Sequence, residues 1–328
     1  MKIFTPDYYK EFLCIAGACP DSCCKEWAVD VDPEAATYYR GLPGPLGDRL
    51  RSVLEDTQGG TVMVIENGRC PMWQTDGLCR IHAELGHEAL CQTCRDFPRI
   101  KHDYGSFAEL GLELSCPEAA RLILAGSHQQ SFTIADGEGD GDYDKDVMDI
   151  LLRSRKMILS FLDTSSLPDP EAFAVVLLYA HGVQGQIDGG DEIAFEPMQC
   201  LADARRFSDA GNLDGLTTFF AGLEILTPDW ANMLSGPKQA CIYNKKLLHY
   251  FICRYWLQAV ADYDLISRVK FSLAACILIG SLPGDFMRNA QLFSKEIEND
   301  PDNVEAILDG CYSIPALTDS NLLGLLLR

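Results

Sequence analysis

The chain has 328 residues, 47% of them hydrophobic and 23% charged, with a formal net charge of −21. That length can bury a sizeable core and supports two domains. The charge argues against non-specific binding of nucleic acid, which needs Lys and Arg to neutralise phosphates, whereas an acidic surface attracts lysine-bearing partners.

The start, residues 1–7 (MKIFTPD), has no apolar h-region. Residues 12–19 (FLCIAGAC) resemble a lipoprotein cleavage site only superficially, because the run is short, follows Asp7 and Glu11, and lacks a large aliphatic residue three positions before Cys19. Residues 61–66 (TVMVIE) read as a strand and Asn67-Gly68 as a tight turn leading into Cys70. Asp76-Gly77 is a second turn signal, just before Cys79. Residues 80–92 predict a short helix with Ile81, Leu85 and Ala89 on one face. Leu110, Leu112 and Leu114 alternate as in a strand, and Ser115-x-x-Glu118 with Pro117 predicts a capping box. That places Cys116 at a helix N-terminus, where the dipole favours a thiolate.

Residues 127–145, with the run DGEGDGD at 136–142, read as an acidic Gly-rich linker. The run does not match the calcium-loop spacing, which needs a glutamate at position 12 and flanking helices. From Asp146 the pattern is helical, opening with a stripe of Val147, Ile150, Leu151, Ile158 and Leu162. Residues 170–181, 192–208, 238–261, 265–279 and 286–299 read likewise. No strict repeat is present, so an irregular helical bundle is expected rather than a solenoid. The most apolar run, residues 271–282, is shorter than the roughly 20 residues that span a bilayer. The expected fold is therefore mainly α. An irregular cysteine-rich metal-binding domain with a few short strands (1–126) precedes the linker (127–145) and an irregular helical bundle (146–328).

Nine of the 14 cysteines lie in residues 1–116. With no secretion signal, a cytoplasmic, reducing compartment is expected, and there clustered cysteines mean metal or redox chemistry. Cys200, Cys241, Cys253, Cys276 and Cys311 sit in apolar helical surroundings and are expected to be buried free thiols. The first cluster is Cys14-x4-Cys19-x3-Cys23-Cys24; the second is Cys70-x8-Cys79, Cys91-x2-Cys94 and Cys116. Soft thiolates select zinc or iron–sulfur clusters, and the Cys-x2-Cys turn aims two sulfurs at one point. Adjacent side chains diverge, so Cys23 and Cys24 serve different sites or one packs as a thiol. Nine thiols exceed the four of one closed site, which leaves two sites or one site with structural thiols. Ferredoxin spacings are absent, as is the Cys-x3-Cys-x2-Cys triad of radical enzymes. His82 and His87 flank the second cluster, but surface or capping roles suit them better; His181 and His249 read as satisfied helix histidines. No Ser/His/Asp triad, phosphate-binding loop, zinc-protease motif or dinucleotide fingerprint can be read. Tyr243, Tyr250, Phe251, Tyr255 and Trp256 form an aromatic group, read first as helix core and second as a cofactor- or lysine-binding wall.

The cysteine spacing joins Trp27, Val29-Asp30-Val31-Asp32, Gly77-Leu78-Cys79, Cys94-Arg95-Asp96-Phe97-Pro98-Arg99 and Leu114-Ser115-Cys116-Pro117-Glu118 in order. This pattern over residues 1–125 resembles the flagellin lysine-N-methylase family, which has a cysteine-rich zinc- or iron-chelating segment. Residues 247–257 (LLHYFICRYWL) are similar to that family's later aromatic helix. The resemblance implies methyl transfer from S-adenosylmethionine to lysine side chains of flagellin, or of another lysine-rich protein. It also implies an iron–sulfur cluster (4Fe–4S, with zinc as the alternative) on the matching cysteines: Cys19, Cys23, Cys24, Cys91 and Cys94, with Cys14, Cys70, Cys79 and Cys116 as further ligands or supports. A lysine amine must lose a proton before it attacks a methyl sulfonium; Asp30, Asp32 and Asp96 beside the motif cysteines are the candidate acceptors, and surface or capping roles are the simpler reading of each. Tyr250, Tyr255 and Trp256 are candidates for the S-adenosylmethionine site. A non-catalytic zinc or iron module and a thiol redox sensor are the competing classes.

Overall fold

The computed structural model describes residues 1–135 and 139–328; residues 136–138 of the expected linker lie outside the described residues. Among the described residues seven strands form two small sheets: β1 (Lys2–Pro6), β2 (Val29–Val31), β3 (Leu54–Thr57), β4 (Gly60–Met63), β5 (Arg99–Asp103), β6 (Phe107–Leu112) and β7 (Gln130–Ile134). The first sheet has the order β5-β6-β1-β7, with β1 parallel to β6 and antiparallel to β7. The second, β2-β4-β3, is antiparallel throughout. The other regular elements among the described residues are helices, and from Lys145 onward these follow the sequence pattern.

Two hydrophobic cores divide the chain. The smaller holds Val29, Tyr39, Leu50, Met63, Met72 and Ile81 together with Cys70 and Cys91. The larger joins Tyr8, Phe12, Leu112, Leu114 and Ile123 to the buried faces of the C-terminal helices. The chain ends of the cysteine-rich segment thus pack on the helical bundle, and its middle folds round the thiols. Lys145–Thr164 buries Val147, Leu151, Ile158 and Leu162, four of the five stripe residues, with Ile150 half-buried. Leu265–Ser281 is buried along its whole length, Arg268 and Lys270 included, and Lys270 Nζ donates to Cys311 O at 2.5 Å. Among the described residues no helix is long and apolar enough to cross a membrane.

Local expectations fare unevenly. Asn67 (φ 53°) and Gly68 (φ 73°) both adopt left-handed backbone, and Glu66 and Arg69 exchange hydrogen bonds across them, as in a type I′ turn. The strand predicted at 61–66 starts at Gly60 and stops at Met63. The helix predicted over 80–92 ends at Leu85, where Gly86 (φ 87°) caps it by donating to His82 O. Only Ile81 of its expected face is buried; Leu85 is exposed. The capping box does not form: Cys116 occupies the N-cap position with Pro117 first in the helix, Ser115 donates to Glu113, and Glu118 pairs with Arg121. Part of the stretch read as linker is strand β7, which pairs along its whole length with β1 at the edge of the sheet. Helices Pro33–Gly41 and Gly44–Val53 interrupt the segment read as irregular.

Candidate functional site

Two turns and two helix starts bring the thiols together. The Asn67-Gly68 turn returns the chain so that Cys70 N donates to Cys24 O at 2.7 Å. Gly77 (φ 83°) closes the second turn, and Cys79 then bridges back to Trp73. Cys79 caps Arg80–Leu85, and Cys91 caps the short helix Gln92–Asp96 that carries Cys94. Trp27 fixes the 23–24 backbone by donating from Nε1 to Cys23 O at 2.9 Å.

Cys24 sits at the hub. Its thiol lies beside those of Cys23, Cys70 and Cys79, and this proximity raises its pKa and lowers that of each neighbour. For Cys79 the contact with Cys24 acts together with the amides of His82 and Ile81 and brings the thiol to about 6. Cys91 and Cys94 form a second contact pair: Cys94 lowers the Cys91 thiol, and its own is raised by Cys91 and by burial. Both Cys23 and Cys79 act electrostatically on Cys94, so six sulfurs share one region. The divergence of adjacent side chains predicts that Cys23 and Cys24 serve different sites or that one packs as a thiol; here the two thiols lie side by side.

Cys14, Cys19 and Cys116 form a neighbouring group, each within electrostatic reach of the others. Ala16, held at φ 49°, donates to Cys14 Sγ at 3.4 Å. Burial pushes the Cys116 thiol up to about 12, outweighing the helix amides of Ala119 and Glu118. The thiolate expected at that helix start is therefore not favoured: desolvation exceeds the dipole.

Among the described residues no three His, Cys, Asp or Glu side chains stand in ligand geometry for a metal ion. The donor set nonetheless suits a thiophilic one: soft sulfurs from four chain positions meet around Cys24, two of them held by short turns. His82 and His87 are exposed and meet each other edge-on at 5.9 Å. All five later cysteines are free thiols, but only Cys276 and Cys311 are fully buried.

Asp30, Asp32 and Asp96 line one groove of about 730 Å³ together with Gln92 and Thr93 of the Cys91–Cys94 turn. Asp32 is fully engaged: Oδ1 accepts from Ala35 N at 2.9 Å and Oδ2 from Gln92 N at 2.7 Å. Those two amides hold its carboxyl below the usual range, Gln92 first. No hydrogen bond engages the Asp30 or Asp96 side chain among the described residues. The aromatic candidates lie elsewhere, inside the larger core. Tyr250 and Tyr255 both donate to Glu298, and Trp256 Nε1 donates to Ser154 Oγ at 3.1 Å.

Two positions that spacing could not reveal clamp the thiol segment to the bundle. Gln291 Nε2 donates to Asp21 Oδ2 at 2.9 Å and to Ser115 O at 3.0 Å. Lys295, in the π-helical turn Ser294–Glu298, donates to Glu26 Oε2 at 2.6 Å. Their only trace in the sequence is the mixed polar and apolar composition of residues 289–298.

No protein-family model matches the chain, and no solved structure matches it. Over 137 residues it is 30% identical to the flagellar biosynthetic protein FliU of Salmonella muenchen, a match covering 38% of this chain and 78% of that one. It is likewise 30% identical over 137 residues to the proteins named lysine-N-methylase of Salmonella typhimurium and Salmonella choleraesuis, covering 38% of this chain. The match spans only 33% of the length of those two. With most of FliU covered, the chain belongs to the flagellin lysine-N-methylase family.

Proposed function

We propose that the chain is a protein-lysine N-methyltransferase that moves a methyl group from S-adenosylmethionine to lysine side chains of flagellin or another lysine-rich protein. One observation carries this reading: the three aspartates beside the motif cysteines line a single groove against the Cys91–Cys94 turn. An acidic groove on a chain of net charge −21 draws in a lysine ammonium. Asp32 is committed to the backbone, which leaves Asp30 and Asp96 to hold the ammonium and take its proton. The freed amine lone pair then forms the N–C bond as the S–C bond of the sulfonium breaks, leaving S-adenosylhomocysteine. The relatives' names support the activity, through a match to only part of the lysine-N-methylases.

In this reading Cys23, Cys24, Cys70, Cys79, Cys91 and Cys94 would hold an iron–sulfur cluster, or zinc, with Cys14, Cys19 and Cys116 as a neighbouring support. Such a centre would supply Lewis acidity or, if iron–sulfur, an electron. The chain's own contribution is to bring these thiols into one region. The direct thiol–thiol contacts around Cys24 also favour a second reading, a redox sensor in which Cys24 pairs with Cys23, Cys70 or Cys79 as a disulfide.

The test uses protein purified without oxygen. Brown protein containing iron, together with a one-methyl mass increase on flagellin when S-adenosylmethionine and reductant are supplied, is the expected result. Zinc alone would overturn the cluster; no methyl increment would overturn the enzyme. Metal-free protein whose thiols disappear on mild oxidation would favour the sensor.

A further inference from the structure

A cavity of about 30 Å³ lies between the first sheet and the helix Lys245–Tyr255, with about 450 Å³ of free space when its opening to solvent is counted. It lies away from the Asp30–Asp96 groove and shares no lining residue with it. Three of the side chains around it have a polar atom without a partner. Arg254 pairs through Nε with Glu298 at 2.9 Å, while its buried Nη1 has none. His102 on β5 has a buried Nε2 with none. The hydroxyl of Tyr8 makes no hydrogen bond among the described residues, and its ring rests edge-on against His128 at 5.4 Å.

Unpaired buried donors are rare, because each forfeits the hydration it had in the unfolded chain. Two such buried atoms around one void, with the unpaired Tyr8 hydroxyl beside them, mark a place that an acceptor completes. The remaining walls do not compete for them. His128 Nε2 contacts Ile123 O at 2.6 Å, and its Nδ1 contacts His249 Nδ1 at 2.9 Å. Burial keeps the imidazoles of His102, His128 and His249 uncharged near neutral pH. The negative charge of Glu109 is taken up by Arg155, which bonds it through both guanidinium nitrogens. Glu298 accepts from Tyr250 and Tyr255 as well as from Arg254. A guanidinium edge, an imidazole N–H and a phenol O–H around a space about the size of one triatomic group fit a planar anion with two acceptor oxygens.

We propose that this cavity is a carboxylate-binding site, with Arg254, His102 and Tyr8 as its donors. The carboxylate comes from a free small acid or from the end of a longer ligand lying in the opening. The two sources separate in one titration. Sodium formate and L-methionine are each added to the full chain at ionic strength held constant with sodium chloride, and the melting temperature is followed.

Saturable stabilisation by formate identifies a free small carboxylate; saturable stabilisation by methionine without formate identifies the longer ligand. In either case Tyr8→Phe and His102→Phe each weaken half-saturation by about tenfold, the worth of one hydrogen bond to a charged group. Neither variant removes a bond made in the ligand-free protein, so the unliganded melting temperature holds. No saturable effect of either compound, or wild-type binding in both variants, overturns the site and leaves a cavity that takes only water.

Discussion

Asp32 ties the second sheet to the Cys91–Cys94 turn by accepting from Gln92 N at 2.7 Å, across 60 residues of chain. Its other oxygen caps Pro33–Gly41 through Ala35 N. One carboxylate thus fixes both the helix that walls the acidic groove and the start of the helix that carries Cys94. Asp32→Ala should cost about 1 kcal/mol for the lost cap, read as a fall in urea midpoint. It should also speed alkylation of Cys91 and Cys94, because the turn loses its anchor. Asp32→Asn keeps an acceptor for Ala35 and should recover most of the stability. Unchanged alkylation in Asp32→Ala would show that the turn is held by other contacts.

Much of this site is legible in the amino-acid sequence itself. The Asn67-Gly68 and Asp76-Gly77 turns follow from residues that tolerate left-handed backbone, and both form. Asp30 is exposed between the buried Val29 and Val31 of β2, an alternation visible in the sequence, and Asp32 follows it directly. The hub role of Cys24 is not legible, because it depends on a long-range return of the chain at Cys70. The capping box fails for a local reason: Cys116 displaces Ser115 from the cap by one residue, and burial then overrides the helix dipole at its thiol. The pairing of β1 with β6 and β7 spans more than a hundred residues and leaves no periodic mark.

The hub makes a sharp prediction for metal content. After anaerobic reconstitution with iron and sulfide, Cys24→Ser should lose most of its bound metal, since three thiols converge on that one sulfur. Cys200→Ser, in the helix Pro197–Phe207 of the bundle, should bind as the parent does. Iron determined against protein for the two variants decides the point. Full metal content in Cys24→Ser would place the metal outside the N-terminal thiols.

Glu109 and Arg155 form a buried, two-point ion pair that joins β6 to the helix Lys145–Thr164. Removing one partner leaves the other charged in the core. Arg155→Met should therefore cost about 3–5 kcal/mol, whereas Glu109→Met with Arg155→Met should lie close to the parent. Denaturant unfolding of the single and double variants completes the cycle. A double variant as unstable as the single would mean that packing, not the stranded charge, sets the cost.

The cavity histidines give stability a pH dependence whose sign is fixed. Burial first, then the nearby Arg254, pushes His102 down to about 4; burial, then His128 and Arg155, pushes His249 down to about 3. An unfolded histidine titrates near 6.5. Between that value and the folded one, the unfolded chain binds the proton and the folded chain does not, so stability rises with pH. The contribution is complete above about pH 6.5 and is lost as pH falls toward the folded values. Each histidine adds at most one proton to the difference, a slope of about 1.4 kcal/mol per pH unit. His102→Phe removes one such proton and no hydrogen bond, because Nε2 has no partner. Urea midpoints taken in steps from pH 7 downward should therefore fall less steeply in the variant, by up to that amount per unit. The two proteins should be about equally stable at pH 7, where His102 is neutral in both states. A parallel fall would show that His102 is hydrated in the folded protein and that the wall of the cavity is wet.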